Sequence, residues 1–223
     1  MVNIDVLIRT KRRSVSISIS QKGEVIIKAP QSCSMTQIQS IVDKKESWIS
    51  LHKQRILDNQ NLNKNIFNYN DILFCGQVYH ILYDESARKI ELKDDYCIVP
   101  AKFTGQVSKQ LSKWFKNIGT SILWGRVQYF SNLMQLNPSK VRLSNAKGCW
   151  GSCNSAGVIS LNWRLIMMPH DLIDYVVVHE LSHLLQMNHS NLFWNVVKSV
   201  LPDYKNRRVL LKKGDYLLTL YRY

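Results

Sequence analysis

The stretch Leu172 to Leu185 constrains this chain more than any other, because it is apolar on nearly every side. A helix with that pattern has no solvent face, so it must be buried in the middle of a domain and the rest of the chain must wrap it. Within it stands His179-Glu180-Leu181-Ser182-His183, an H-E-x-x-H sequence. On a helix advancing about 100° per residue the two histidines lie about 40° apart and one turn along, so both imidazoles can reach one metal ion. Glu180 projects about 100° from His179, where it can hydrogen-bond a water on the ion without ligating it, as a general base must. Burying two imidazoles and a carboxylate without partners would be costly, and Zn2+ with its water satisfies all three. The competing reading is a pair of core histidines bonded to backbone carbonyls, with Glu180 in a salt bridge.

Catalytic zinc usually has three protein ligands and one open position, and His189 is the expected third. An unbroken helix would point His189 about 240° away from His183, so the helix must end first. Asn188, in the left-handed conformation of a helix C′ position, is the expected stop, with Ser190 capping the next helix. The alternative is a carboxylate from elsewhere, such as Asp203. Cys149 and Cys153 are spaced C-x3-C with no Cys or His nearby to complete a site, and read as ordinary thiols.

The pattern around this segment is that of a mixed fold. Val15, Ile17 and Ile19 alternate with serines, and after Gln21-Lys22-Gly23 comes Val25-Ile26-Ile27, a hairpin with one buried face. Ser34-Met35-Thr36-Gln37 has the form of a capping box opening a helix to about Asn59, and Asn61 to Asn70 reads as a linker or loop. Ile72 to Pro100 holds several β-rich pieces. From Val107 a long helix is expected to stop before Asn137-Pro138. A strand at Lys140 to Leu143 and a hairpin about Asn154 to Gly157 lead to the buried helix, and two helices come after it, divided at Pro202. No internal sequence repeat is seen at the usual periods. The expected fold class is α+β, with a β-rich module with one helix over 1–103 and a domain built on the buried helix over 104–223.

Thirty Lys and Arg against sixteen Asp and Glu give a net charge of +14, which makes an anionic partner plausible without naming it. Arg9, Lys11, Arg12, Arg13, Lys205, Arg207, Arg208, Lys212 and Lys213 could track phosphates, which keeps open a second reading as a basic nucleic-acid-associated protein. No DNA- or RNA-reading motif accompanies them. No apolar run reaches the roughly 18 residues of a membrane span, and neither a signal peptide nor an anchor is read at the N-terminus. Five scattered cysteines point to reduced thiols and a cytoplasmic protein.

Trp150-Gly151-Ser152-Cys153, Ile159 to Leu165, Val178 to His183 with Asn188-His189-Ser190 and Phe193-Trp194, and Leu201-Pro202-Asp203-Tyr204 resemble the successive blocks of the YgjP-like zinc metallopeptidases. The resemblance is close from about residue 105 to 213 and looser before it. It implies a small sheet packed on the active-site helix in a zincin-like fold, with kinship to the SprT-like and WLM proteases. It also implies His179, His183 and His189 as metal ligands and Glu180 as catalytic base. The reaction expected is hydrolysis of peptide bonds in a peptide or protein substrate, which joined to the basic charge also suggests a protease acting on nucleic-acid-bound proteins. By analogy with zincins, the strand at Val158 to Trp163 is expected at the cleft edge, pairing with an extended substrate, which makes Ser160 and Asn162 substrate-binding candidates. Trp150 and Trp163 are either cleft walls or core. Metzincins are excluded, since Gln186 stands where they have Gly and no Met-turn is present after it. Tyr204, Arg207 and Arg208 are candidates to stabilise an oxyanion, with a packing or solvated role the stronger reading for each.

Overall fold

The computed structural model describes residues 2–20, 23–54 and 70–219. Contacts divide the chain into two compact units, Met1–Asn68 and Tyr69–Tyr223.

In the first unit, β1 (Val6–Thr10), β2 (Ser16–Ile19) and β3 (Val25–Pro30) form a sheet of order β1-β3-β2, with β1 parallel and β2 antiparallel to β3. Val25, Ile27 and Ala29 alternate along β3 and close a core with Ile38, Val42 and Ile49. Helix α1 (Met35–Asp43) starts at the capping box expected from sequence: the Ser34 hydroxyl accepts from Gln37 N, and the Gln37 side chain accepts from Ser34 N at 2.9 Å. A turn at Lys44-Lys45 separates it from α2, described over 46–54. The single helix expected to about Asn59 is thus two; its end, like the linker at Asn61 to Asn70, lies almost wholly outside the described residues.

The second unit begins with β4 (Asp71–Phe74), β5 (Gln77–Asp84), β6 (Glu91–Lys93) and β7 (Tyr96–Pro100), in the order β4-β5-β7-β6. The sequence pattern suggests a boundary near residue 103, whereas by contacts these strands join the helices and sheet C-terminal to them. The reason is the β4–β5 turn. Cys75 and Gly76 both have positive φ, and their amides donate to Ile166 O at 2.7 Å and Met167 O at 3.0 Å. A Cβ on Gly76 would lie 2.7 Å from Pro169 Cγ, so only glycine allows this approach.

Helix α3 (Val107–Met134) ends at Gln135 in the left-handed conformation. Strands β8 (Lys140–Ser144), β9 (Gly151–Cys153) and β10 (Val158–Asn162) come next in the order β8-β10-β9, then a 3-10 turn Trp163–Met167 and helix α4 (His170–Ser182). Every side chain of α4 from Tyr175 to Val178 is buried, as the all-round apolar pattern requires. Arg126 of α3 fixes its azimuth with a two-pronged ion pair to Asp174, at 2.6 and 2.8 Å. Helices α5 (Asn191–Val200) and α6 (Tyr204–Lys213) complete the unit, which is α+β as expected. No helix among the described residues is long and apolar enough to cross a membrane.

Candidate metal centre

His179 lies in the last turn of α4 and His183 is its C-cap residue. The helix therefore ends sooner than the sequence suggested, and Asn188 is not the stop. Among the described residues the non-glycines with positive φ are Cys75, Asp94 and Gln135. Instead the chain closes a tight turn directly after His183, with Leu185 N and Gln186 N both donating to Ser182 O, at 3.1 and 3.0 Å. The His183 ring completes that turn, its Nδ1 lying 3.0 Å from Gln186 O. This bond assigns the proton to Nδ1 and leaves Nε2 as a free lone pair. Asn188 Oδ1 accepts from Ser190 N at 3.3 Å, and the bend delivers His189 to the other two histidines. Ser190 holds the N-cap position of α5, but its hydroxyl makes no capping bond.

One nitrogen from each of His179, His183 and His189 lies within 4.8 Å of the others. His179 Nε2 and His189 Nε2 face each other at 3.1 Å. Two nitrogens held tetrahedrally at ~2.0–2.1 Å from one zinc ion would stand about 3.3 Å apart, so the spacing fits. His179 Nδ1 is buried without a partner among the described residues. Burial, then the neighbouring charges of His183, His189 and Arg208, pushes His179 down to about 3, and burial lowers His183 as well. Neutral imidazoles are the form that binds a cation. Phe193, fully buried, supports all three rings at centroid distances of 4.6–4.9 Å. Trp194 stacks on His189 at 5.6 Å, and Tyr204 stacks on Trp194 at 5.2 Å.

Glu180 is buried against β9. A Cβ at Gly151 would come within 2.6 Å of its Oε1, so the glycine is the space in which the carboxylate sits. Burial pushes Glu180 up to about 8. With His179 it lines a cleft of about 200 Å³ whose other walls are Trp150, Gly151, Tyr175, Val176 and Leu211.

The profile of a family described as "YgjP-like, metallopeptidase domain" matches residues 13–214. The chain belongs to this family. It is accordingly a metallopeptidase, acting on peptide bonds with a divalent metal. No curated protein matches the chain. Among solved structures, the metallopeptidase zymogen of Pyrococcus abyssi abylysin is similar, with 22% identity and a TM-score of 0.37, over 40% of this chain and 93% of that one.

In this YgjP-like metallopeptidase the remaining candidates fall into two groups. Trp150 is a cleft wall, tethered by its Nε1 to Asp215 Oδ1 at 2.9 Å. Ser160, Asn162 and Trp163 are turned inward. Ser160 Oγ accepts from Arg142 Nε at 2.9 Å, and Trp163 packs on Phe115 and donates to Asn145 Oδ1 at 3.0 Å. Asn162, fully buried, donates to Ala146 O and Cys149 O and so holds the loop that leads to Trp150. Strand β10 is not at the cleft edge: β8 and β9 occupy both its sides, and the open edge beside Glu180 belongs to β9.

Asp203, the alternative third ligand, instead receives both bonds from Arg207 Nε at 2.9 Å. Arg207 also donates to Asp171 O, and Arg208 lies over the Trp194 ring. Tyr204, Arg207 and Arg208 thus have packing roles, and two cations once available for phosphates are engaged internally, as is Arg9 through Pro30 O and Cys33 O. The residue that sequence reasoning missed is Tyr175. It sits one turn before His179 on the same helical face, a spacing that could have revealed it.

Proposed function

We propose that this metallopeptidase is zinc-dependent, with His179, His183 and His189 as the ligands and Glu180 as the general base. The observation that carries the reading is the convergence of three imidazoles beside one buried carboxyl that lies outside their cluster. When bound, the ion supplies Lewis acidity, which acidifies water and polarises a carbonyl. Three imidazole nitrogens form a donor set that suits zinc over magnesium or calcium, which prefer oxygen.

Glu180 takes the proton of the attacking water and returns it to the leaving amine. Its pKa, raised to about 8 by burial, suits a group that must both accept and release a proton near neutral pH. Gly151 gives the carboxylate room, and His183 is held in one tautomer by Gln186 O. Substrate is bound along the open edge of β9, with Trp150, Tyr175, Val176 and Leu211 receiving a side chain. Tyr175, an O–H donor in this cleft, orients the reacting carbonyl.

Elemental analysis of protein purified without chelator tests the ligand set. About one zinc per chain is expected, and none in His183→Ala. A wild-type chain without specific metal, or a His183→Ala chain that keeps it, refutes the assignment.

A further inference from the structure

The first unit contains a groove for which the peptidase chemistry has no use. Val15 and Ile17 form one wall, and Ile41 of α1 with Lys45 and Trp48 the other, enclosing about 270 Å³. Ile41 and Trp48 are each 38% exposed, beside a core in which their neighbours Val42 and Ile49 are sealed. The Trp48 indole is not loose: it stacks on His52 at 4.0 Å, and His52 Nδ1 lies 3.0 Å from Trp48 O. An aromatic wall held rigid in solvent is a feature of binding surfaces.

The other wall is a strand edge. In the order β1-β3-β2, strand β2 is outermost. Ser20 N donates to Glu24 O at 2.8 Å, in the same register that pairs Ile19 with Val25 and Ile17 with Ile27. Because hydrogen-bonded and non-hydrogen-bonded pairs alternate along an antiparallel ladder, the N–H and C=O groups of Ile17 and Ile19 point away from β3. No described residue takes them up. The occupant that satisfies such groups is an extended backbone, and its alternate side chains would enter the groove beside them.

Charge narrows the occupant further. Lys45 is in the groove wall, Lys44 adjoins it, and Lys11, Arg12 and Arg13 lead into β2. Of the acids nearby, Asp43 is turned to Val2 N and Gln39, Glu24 accepts from Ser20 Oγ at 2.8 Å, and Glu46 also has a partner. The surface left to a ligand is apolar with a cationic rim.

We propose that β2 is a docking strand for an extended, acidic segment of a protein substrate, which adds to the sheet edge, sets an apolar side chain between Ile17 and Trp48, and meets Lys45 with a flanking carboxylate. That the segment belongs to a substrate rests on the peptidase reading; the docking itself does not.

The test uses the full chain carrying Glu180→Gln, so that probes are not cut, and reads fluorescence anisotropy. The probes are short labelled peptides with Asp or Glu at both ends and Val, Ile or Leu at alternate central positions. Two companion sets carry Lys or Arg ends, or N-methylated central amides. Saturable binding of the acid-ended set is expected, with loss on N-methylation. Trp48→Ala should weaken it about tenfold or more, the loss typical of a buried aromatic anchor. Lys45→Glu, an exposed change that leaves the core untouched, should shift preference to the Lys- or Arg-ended set. Equal binding of all three sets, indifference to both variants, or no binding by any set overturns the proposal. Cleavage of a short quenched peptide by the chain with Glu180 intact separates the two readings. Failure of cleavage with binding retained sinks the peptidase mechanism alone, and failure of binding with cleavage retained sinks the docking strand alone.

Discussion

The two three-stranded sheets are built on one plan and do different work. In β1-β3-β2 and in β8-β10-β9 the third strand along the chain lies in the middle, parallel to the first and antiparallel to the second. Each leads into a helix, α1 or α4, and β5-β7-β6 has the same pattern once more. What differs is burial. Strand β3 buries alternate residues, Val25, Ile27 and Ala29, and α1 turns Ile38 and Val42 inward as a one-sided helix should. Strand β10 buries Ile159 to Asn162 without a break, and α4 is enclosed on all sides. That second environment desolvates the Glu180 carboxyl and, by burial, lowers the pKa values of His179 and His183. The plan of strands positions a helix, and the chemistry comes from the polar side chains that the helix takes out of water.

Four substitutions would break or sharpen this contrast. Glu180→Gln should lower kcat for a peptide by about 10²–10⁴-fold while leaving metal content unchanged, as elemental analysis beside kinetics would show. Full turnover in that protein would place the base elsewhere. Ile27→Ala, in the first sheet, should cost about 2–5 kcal/mol in denaturant unfolding and leave the metal bound, since the cavity opens in a core that holds no ligand. Gly151→Ala, in the second, should cost about 10²-fold in kcat/KM with metal retained, because its methyl displaces the Glu180 carboxylate. An unchanged rate would mean that the carboxylate tolerates a shift. The smallest effect belongs to β7, an interior strand of the four-stranded sheet. Burial pushes the Cys97 thiol up to about 12, so at pH 8 the folded protein holds almost none of it as reactive thiolate. Cys97 should resist alkylation until the sheet opens, and Cys97→Ser should leave cleavage unaltered; prompt labelling of native protein would contradict the sealed strand.

Much of the site was legible because its determinants are close in sequence. The spacing of His179, Glu180 and His183 needs only helical geometry, and the Ser34–Gln37 capping box is complete within four residues. The strands of β9 and β10 and their turn were legible too, since Asn154 accepts from Ala156 N and Val158 N across the bend. What escaped depends on distant partners. The inner position of β10 is set by β8, which pairs with it from eighteen residues back, Val158 against Lys140. The inward turn of Asn162 is fixed by carbonyls of Ala146 and Cys149, and the placing of β4 and β5 by carbonyls of Ile166 and Met167. The end of α4 is not legible locally, because Asn188 is the better stop by residue type, while the bond from the His183 ring to Gln186 O closes the turn sooner. The repeated strand plan left no trace as a sequence repeat, because sheet order constrains which faces are apolar and not which residues make them so.

Trp194 lies ring on ring with His189, at 23° between planes, and 5.9 Å from His179. An indole so placed responds in its emission to whatever charge its neighbour carries. Against the emission of the other five tryptophans, metal binding at these histidines should therefore register as a change in this one, and Trp194→Phe should remove that change.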